Sequence, residues 1–315
     1  MKVNSVTGSL HINDLSYTLI HEHMRTRSEA VAVQFPHLYD EQEEFALAKV
    51  QVLKTKEYGV KTIFDPTVMG LDRDVRLMEK ISKETGIQII AATGVYTFNV
   101  LPTRFAVNDI DFLAEQFVRD TEVGIQNTSI KAGFLKCATD IQGVTTDVEK
   151  VLRAVARAHI KTGLPIMTHS HPGTETGLRQ IEIFEQEGVD LSKVLIGHCG
   201  DTDDMDYIER VLDYGVFIGM DRYGLSKLLP TEKRNEIVLK LLNKGYANRM
   251  FLSQDYCCTT DMYKPNHLKK HVHPDWSMTY LLKTVIPLLK QHGVTENQLN
   301  TMMIDNVKRW FGFLK

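Results

Sequence analysis

Histidine, lysine and aspartate side chains finish several short apolar runs of this chain, a pattern that could hold metal ions and activate water. The first run ends in His21-Glu22-His23. Successive side chains of an extended strand alternate between faces, so His21 and His23 point the same way and offer two imidazole nitrogens to one cation. Glu22 then points the opposite way, into the surrounding helices. Two imidazoles on one buried face repel each other when protonated and need a shared partner. Later runs end in Lys136, His169, His198 and Asp255. A lone histidine at a strand end is more often a hydrogen-bonded structural residue. Five such polar ends on separate runs are hard to explain as coincidence.

Lys136 separates the chemistries. A buried ammonium is costly, so the amine must lose its proton or find a neutralising arrangement. As a free amine it could form a Schiff base with a carbonyl substrate, as aldolase lysines do on barrels. As a carbamate made with carbon dioxide it would present one anionic oxygen to each of two metals. Snorkelling out of a barrel mouth is the bland reading. The neighbouring imidazoles and aspartate favour the carbamate, because a Schiff-base lysine has no use for them.

Eight apolar runs rich in Val, Ile and Thr must position these groups: residues 18–23, 60–66, 87–94, 130–137, 164–169, 194–198, 216–220 and 250–255. Each precedes a helical pattern, the signature of parallel βαβ units. Eight units with no glycine-rich dinucleotide fingerprint favour an α/β chain closed into one (β/α)8 TIM barrel over an open doubly wound sheet. The 315 residues suit a single barrel domain over 1–315. In such barrels catalytic groups sit at the C-terminal ends of strands. Thr146 with Glu149 predicts a capping box for a helix closed by Gly163, and Thr295 with Gln298 predicts an extra C-terminal helix over 295–313. The aspartates of DTDD, residues 201–204, lack calcium-loop spacing and predict a cap for the helix that starts MDYIERV. His171, just before Pro172, reads as a loop residue. His11, His37, His159, His267, His271, His273 and His292 have no strand-end context and are assigned no chemistry.

Composition narrows the function. A formal net charge of -3 with mixed signs gives no footprint for nucleic acid and points to a small-molecule substrate. The first residues, MKVNSVTGSL, lack a signal peptide's apolar core, and no run approaches the roughly 18 apolar residues of a membrane span. The expectation is a cytoplasmic protein without a membrane partner. Four cysteines, irregularly spaced, predict reduced thiols rather than a disulfide framework.

The motifs TLIHEH, DPTVMGLDRD, KAGFLK, MTHS, IGHCGDTDD, GMDRYG and LSQDYCC together resemble the phosphotriesterase-like lactonases of the amidohydrolase superfamily, across essentially the whole chain. The resemblance implies a binuclear centre in which His21, His23 and Asp255 hold the buried metal and His169 and His198 the more exposed one. Lys136, as N6-carboxylysine, bridges them, with a hydroxide as the second bridge. Zinc, iron, cobalt and manganese all suit this mixed nitrogen and oxygen set. Asp255 would serve as ligand and as the base that hands a proton to the leaving alkoxide. Tyr96 is implied to lie against the centre, the alternative being an aromatic cover on the barrel top. Arg222 reads as a pocket residue or as the partner of a carboxylate, Asp221 or one of residues 201–204. Cys257 reads as a small apolar residue lining the pocket, or as simply buried.

Residues 256–276, with Met262, Tyr263, Pro265 and Trp276, read as a lid over the substrate channel. Lactonases of this kind carry tryptophan where this chain has Met262, two places before Lys264, so the pocket shape departs from theirs. The implied activity is hydrolysis of lactones, including N-acyl homoserine lactones (quorum quenching), with promiscuous phosphotriesterase activity on paraoxon-type organophosphates, in a homodimer. The tetrahedral species of lactone hydrolysis resembles a phosphotriester, so one oxyanion-stabilising site can serve both. The alternatives are a dedicated organophosphate hydrolase, a metal-independent Schiff-base aldolase using Lys136, and a non-catalytic barrel that keeps its metals for structure.

Overall fold

Short β-branched runs that are apolar on both faces can only be satisfied inside a sheet covered by helices. The computed structural model, which describes residues 1–263 and 267–314, places them there. An antiparallel hairpin of β1 (Lys2–Ser5) and β2 (Gly8–His11) precedes the barrel and was not expected. Then come β3 (Thr18–Leu19), β4 (Glu22–His23), β5 (Thr62–Asp65), β6 (Gln88–Gly94), β7 (Phe134–Ala138), β8 (Ile166–His169), β9 (Val194–Ile196), β10 (Phe217–Met220), β11 (Met250–Leu252) and β12 (Tyr256–Cys257). Eight of these form a parallel sheet in the order β11-β10-β9-β8-β7-β6-β5-β3. The seam between last and first is joined by β12 on β4, with Tyr256 opposite Glu22 and Cys257 opposite His23. This is the expected α/β TIM barrel, nearly closed by its ladder.

The two-residue period of the strands stacks the interior in layers. Phe64, Phe134, Met167, Leu195, Phe217 and Phe251 fill the lower layer. Lys136 and His169, two positions beyond Phe134 and Met167, rise into the layer above and face the barrel mouth. Below, Trp310 plugs the floor with its ring 5.7 Å from Phe64 and 5.9 Å from Phe134, centroid to centroid. Trp310 belongs to the terminal segment, which opens with the Thr295–Gln298 capping box. That segment is not one regular helix: Glu296–Asn300 and Asn306–Trp310 are α, and Thr301–Asp305 between them is a π turn.

Helix ends follow local chemistry. Asp204 accepts from Tyr207 N and caps the helix Met205–Asp213, as expected. For the helix Thr146–Thr162 the cap is Thr145, which accepts from Val148 N, one residue earlier than the sequence reading. Gly163 closes it in the left-handed conformation at φ 71°. Gly94 is needed for another reason: a Cβ there would lie 1.8 Å from the Lys136 carbonyl oxygen, so only glycine lets β6 pair beside Lys136. All four cysteines are free and buried. Among the described residues no helix is long and apolar enough to cross a membrane.

Candidate metal centre

His21, His23, Lys136, His169, His198 and Asp255 converge at the mouth, although two of them lie beyond their strands. The strand β9 stops at Ile196 and β11 at Leu252, and the chain bends so that His198 (φ 65°) and Asp255 (φ 50°) adopt left-handed backbone. Such conformations are uncommon outside glycine and collect at functional sites. Here they turn both side chains inward.

Asp255 Oδ1 lies 3.3 Å from His21 Nε2 and 3.1 Å from His23 Nε2, and Oδ2 lies 3.8 Å from His198 Nε2. The donor atoms of His21, His23 and Asp255 all fall within 4.8 Å of one another, close enough to hold an ion. His198 Nε2 is 3.0 Å from His169 Nδ1, which is also 3.2 Å from the Tyr96 hydroxyl. Burial lowers His21 to about 3, with Lys136 adding to the effect, and burial holds His169 well below its usual value. Both rings are therefore neutral and carry a lone pair. Burial raises the Asp255 carboxyl, but His21, His23, Arg222 and His198 outweigh it and keep the group ionised. Burial also drops Lys136 to about 8. Its Nζ is buried without a hydrogen-bond partner among the described residues, an orphan of a kind that native structures seldom leave.

A second set of groups fixes the imidazoles from behind. Asp221 Oδ2 is 2.9 Å from His21 Nδ1, and Asp221 Oδ1 is 3.0 Å from His198 Nδ1 and accepts from the His198 backbone N–H at 2.9 Å. Thr67 Oγ1 is 2.7 Å from His23 Nδ1. Asp65 receives the Met24 and Thr67 backbone N–H groups, each at 2.9 Å. Carboxylates and hydroxyls on the far nitrogen set the tautomer and aim of a ligating ring. Asp65 and Thr67 were not singled out from sequence and Asp221 was named only as a candidate partner of Arg222, although Asp65 and Asp221 lie at or just beyond strand ends, and that position was the available signal.

Arg222 bridges two carboxylates, donating from Nε to Asp255 Oδ2 and from Nη1 to Asp201 Oδ2, both at 2.9 Å. Its partners are thus Asp201 and Asp255; Asp221 faces the imidazoles instead. Glu22 does not project among the helices. It accepts from Ser253 Oγ, from both nitrogens of Gln254 and from Tyr256 N at 2.7–3.1 Å, and so fastens the barrel seam. His171 stays in its loop, with Nδ1 2.9 Å from Thr174 Oγ1.

Above the cluster lies a cavity of about 460 Å³, walled by Tyr96, Arg222, Cys257 and a mixture of apolar and polar side chains. Residues Met262, Tyr263 and Trp276 of the 256–276 segment line it as anticipated, whereas Lys264 and Pro265 lie outside the described residues. His273, which has no strand-end context, lines it too.

A sequence model described as the Phosphotriesterase family matches residues 1–311. The chain belongs to the phosphotriesterase family. It is 50% identical over 305 residues to the aryldialkylphosphatase of Saccharolobus solfataricus, covering 96% of this chain and 97% of that protein. The phosphotriesterase homology protein of Escherichia coli is 33% identical over 296 residues, covering 94% and 97%. A solved structure, that of the phosphotriesterase from Mycobacterium tuberculosis, superposes with a TM-score of 0.95 at 43% identity, covering 99% and 98% of the two chains. Phosphotriesterase-family proteins are metal-dependent hydrolases that typically bind a binuclear centre, and the donor set here fits such a group: neutral imidazoles, an ionised carboxylate and an orphaned lysine amine.

Proposed function

We propose that this phosphotriesterase-family hydrolase is a lactonase acting on lactones such as N-acyl homoserine lactones, with organophosphate triesters as slower substrates. The observation that carries the reading is the orphaned Lys136 amine buried beside His21, His169 and Asp255, which themselves line the cavity. In this reading His21, His23 and Asp255 would hold one divalent ion and His169 and His198 a second, with Lys136, as N6-carboxylysine, supplying a shared anionic ligand. Zinc, iron, cobalt or manganese would suit the set. When bound, the ions supply Lewis acidity that makes water nucleophilic at neutral pH and polarises the scissile group.

The chain's own residues do the rest. Asp255, held by Arg222, accepts the nucleophile's proton and returns it to the departing alkoxide. The Tyr96 hydroxyl lies beside His169, where it can donate to a substrate oxygen. Leu71, Leu225, Leu228 and Trp276 enclose an apolar acyl group and exclude water from the reacting end. A dedicated organophosphate hydrolase is the second reading, favoured by the likeness to the Saccharolobus aryldialkylphosphatase.

Elemental analysis and a proton-release assay of lactone opening, run beside paraoxon hydrolysis and with Lys136→Ala in parallel, test the proposal. Two ions per chain, faster lactone opening and loss of both metal and rate in the variant are expected. A chain that turns over only the phosphotriester supports the second reading. Borohydride trapping of Lys136 on a carbonyl compound, without metal, would overturn both.

A further inference from the structure

The four imidazoles of the centre are not held alike. Asp221 faces the outer nitrogens of His21 and His198, and Thr67 faces that of His23. The outer nitrogen of His169, Nε2, makes no such bond among the described residues: Asp140 Oδ2 lies 3.8 Å off, beyond hydrogen-bond reach. His169 is held by its main chain instead. Its carbonyl oxygen accepts from Thr139 N at 2.9 Å and from Gln180 Nε2 at 2.7 Å, which engages both lone pairs. The same Gln180 nitrogen donates to Thr139 Oγ1 at 2.7 Å, so one amide joins the end of β8 to the residue just after β7.

A carbonyl oxygen can only accept, so it is the nitrogen of the Gln180 amide that faces His169. The amide oxygen is left buried with no hydrogen-bond partner among the described residues, as native interiors seldom allow. Gln180 is fully buried on the inner face of the helix Thr176–Glu187, beside Ile181 and Phe184. An apolar side chain would serve that face if packing were all. Gly177, one turn earlier, brings the helix this close: a Cβ there would lie 2.5 Å from the Tyr207 hydroxyl and 2.9 Å from Ile196 Cγ2.

We infer that Gln180 is a positioning residue for the second ion site: by fixing the main chain of His169 against Thr139, it aims the one imidazole that lacks support behind its ring. The inference rests on the two-ion reading and adds to it a residue outside the ligand set. The second site draws its two rings from separate supports, Asp221 behind His198 and Gln180 on the main chain of His169. Loss of Gln180 therefore acts on His169 and leaves the other three rings aimed.

The test is a zinc titration of protein stripped of metal, read against a competing chelator, with thermal melts of the same metal-free samples. The parent is expected to take up two ions per chain. Gln180→Met, of similar length but without a donor, should weaken one step about tenfold or more, the step that His169→Ala abolishes, and leave the other within about twofold. The melting point of the metal-free variant should stay close to that of the parent, because the orphaned oxygen leaves with the amide. Gln180→Asn, which keeps an amide but is one methylene short, should show the same one-step loss and serves if the methionine variant does not fold. A glutamine that is merely structural would unfold both variants or weaken both steps together. Either result, or two unchanged steps, overturns the inference and leaves the two-ion reading intact. A parent that binds fewer than two zinc ions overturns both.

Discussion

Asp221 faces His198 twice, through its ring at 3.0 Å and through its backbone N–H at 2.9 Å, while the other carboxylate oxygen holds His21. One side chain thus aims two imidazoles that lie far apart in the sequence. Asp221→Asn keeps the shape and loses the charge. We expect a drop of about 10- to 100-fold in metal affinity, measured by chelator competition, with the fold intact by circular dichroism. Undiminished affinity would show that the imidazoles are aimed by packing alone.

Arg222 acts on the other side of the centre, tying Asp255 to Asp201. Arg222→Gln should leave metal content near that of the parent and lower kcat about a hundredfold, because Asp255, the carboxylate proposed to carry the proton, loses its fixed orientation. Elemental analysis beside steady-state kinetics separates this from a ligand role, in which metal and rate would fall together.

The cavity wall is stitched across the seam. Tyr39 and Ser28, from the segment after β4, bind Asp261 of the segment after β12, and the Arg27 guanidinium lies 4.4 Å from the Tyr39 ring centre. Tyr39→Phe removes one of these bonds. A rise in KM of a few fold with kcat nearly unchanged is the expected result, together with a stability loss of about 1 kcal/mol. A change in kcat alone would place the effect at the metals instead.

Trp310→Ala should lower unfolding stability by about 3–5 kcal/mol, since its fully buried ring is the floor on which Phe64, Phe134 and Phe251 rest. Denaturant titration reads this directly. Activity per bound metal should persist under native conditions, because the floor lies a layer below the site.

His159 gives a pH dependence far from the centre. Its Nδ1 is 2.7 Å from the Leu164 carbonyl oxygen and its Nε2 accepts from Asp190 N, an arrangement that only the neutral ring satisfies. Burial lowers its pKa from the ordinary 6.5. As pH falls the unfolded chain takes the proton first, so this contribution is complete above the unfolded value and is lost below it. Melting temperature should fall between about pH 7.5 and about pH 5.5 more steeply for the parent than for His159→Gln. Parallel curves would exclude the assignment.

The strands were legible because a β-branched run flanked by turn and helix signals is a local pattern, and a polar residue at its end stands out against it. His21, His23, Lys136, His169, His198 and Asp255 announced themselves in that way. Asp221 did not, because its meaning lies in two rings reached only through the fold. The left-handed bends at His198 and Asp255 had no marker, since neither position is glycine. The adjacent Thr145 and Thr146 are chemically equal caps, and only the backbone decides between them. The β1–β2 hairpin was too short to register, and His273 joins the wall only when the segment after the last strand folds back over the mouth.

Glu22 and Tyr256 are 234 residues apart yet directly hydrogen-bonded, and the clustered donors His21, His23 and Asp255 span the same interval. During synthesis the early histidines wait almost the length of the chain for their carboxylate. A polypeptide that ends before Asp255 therefore lacks the assembled cluster. Closure of this 234-residue loop and assembly of the donor cluster coincide, so a chain cut before Asp255 lacks both.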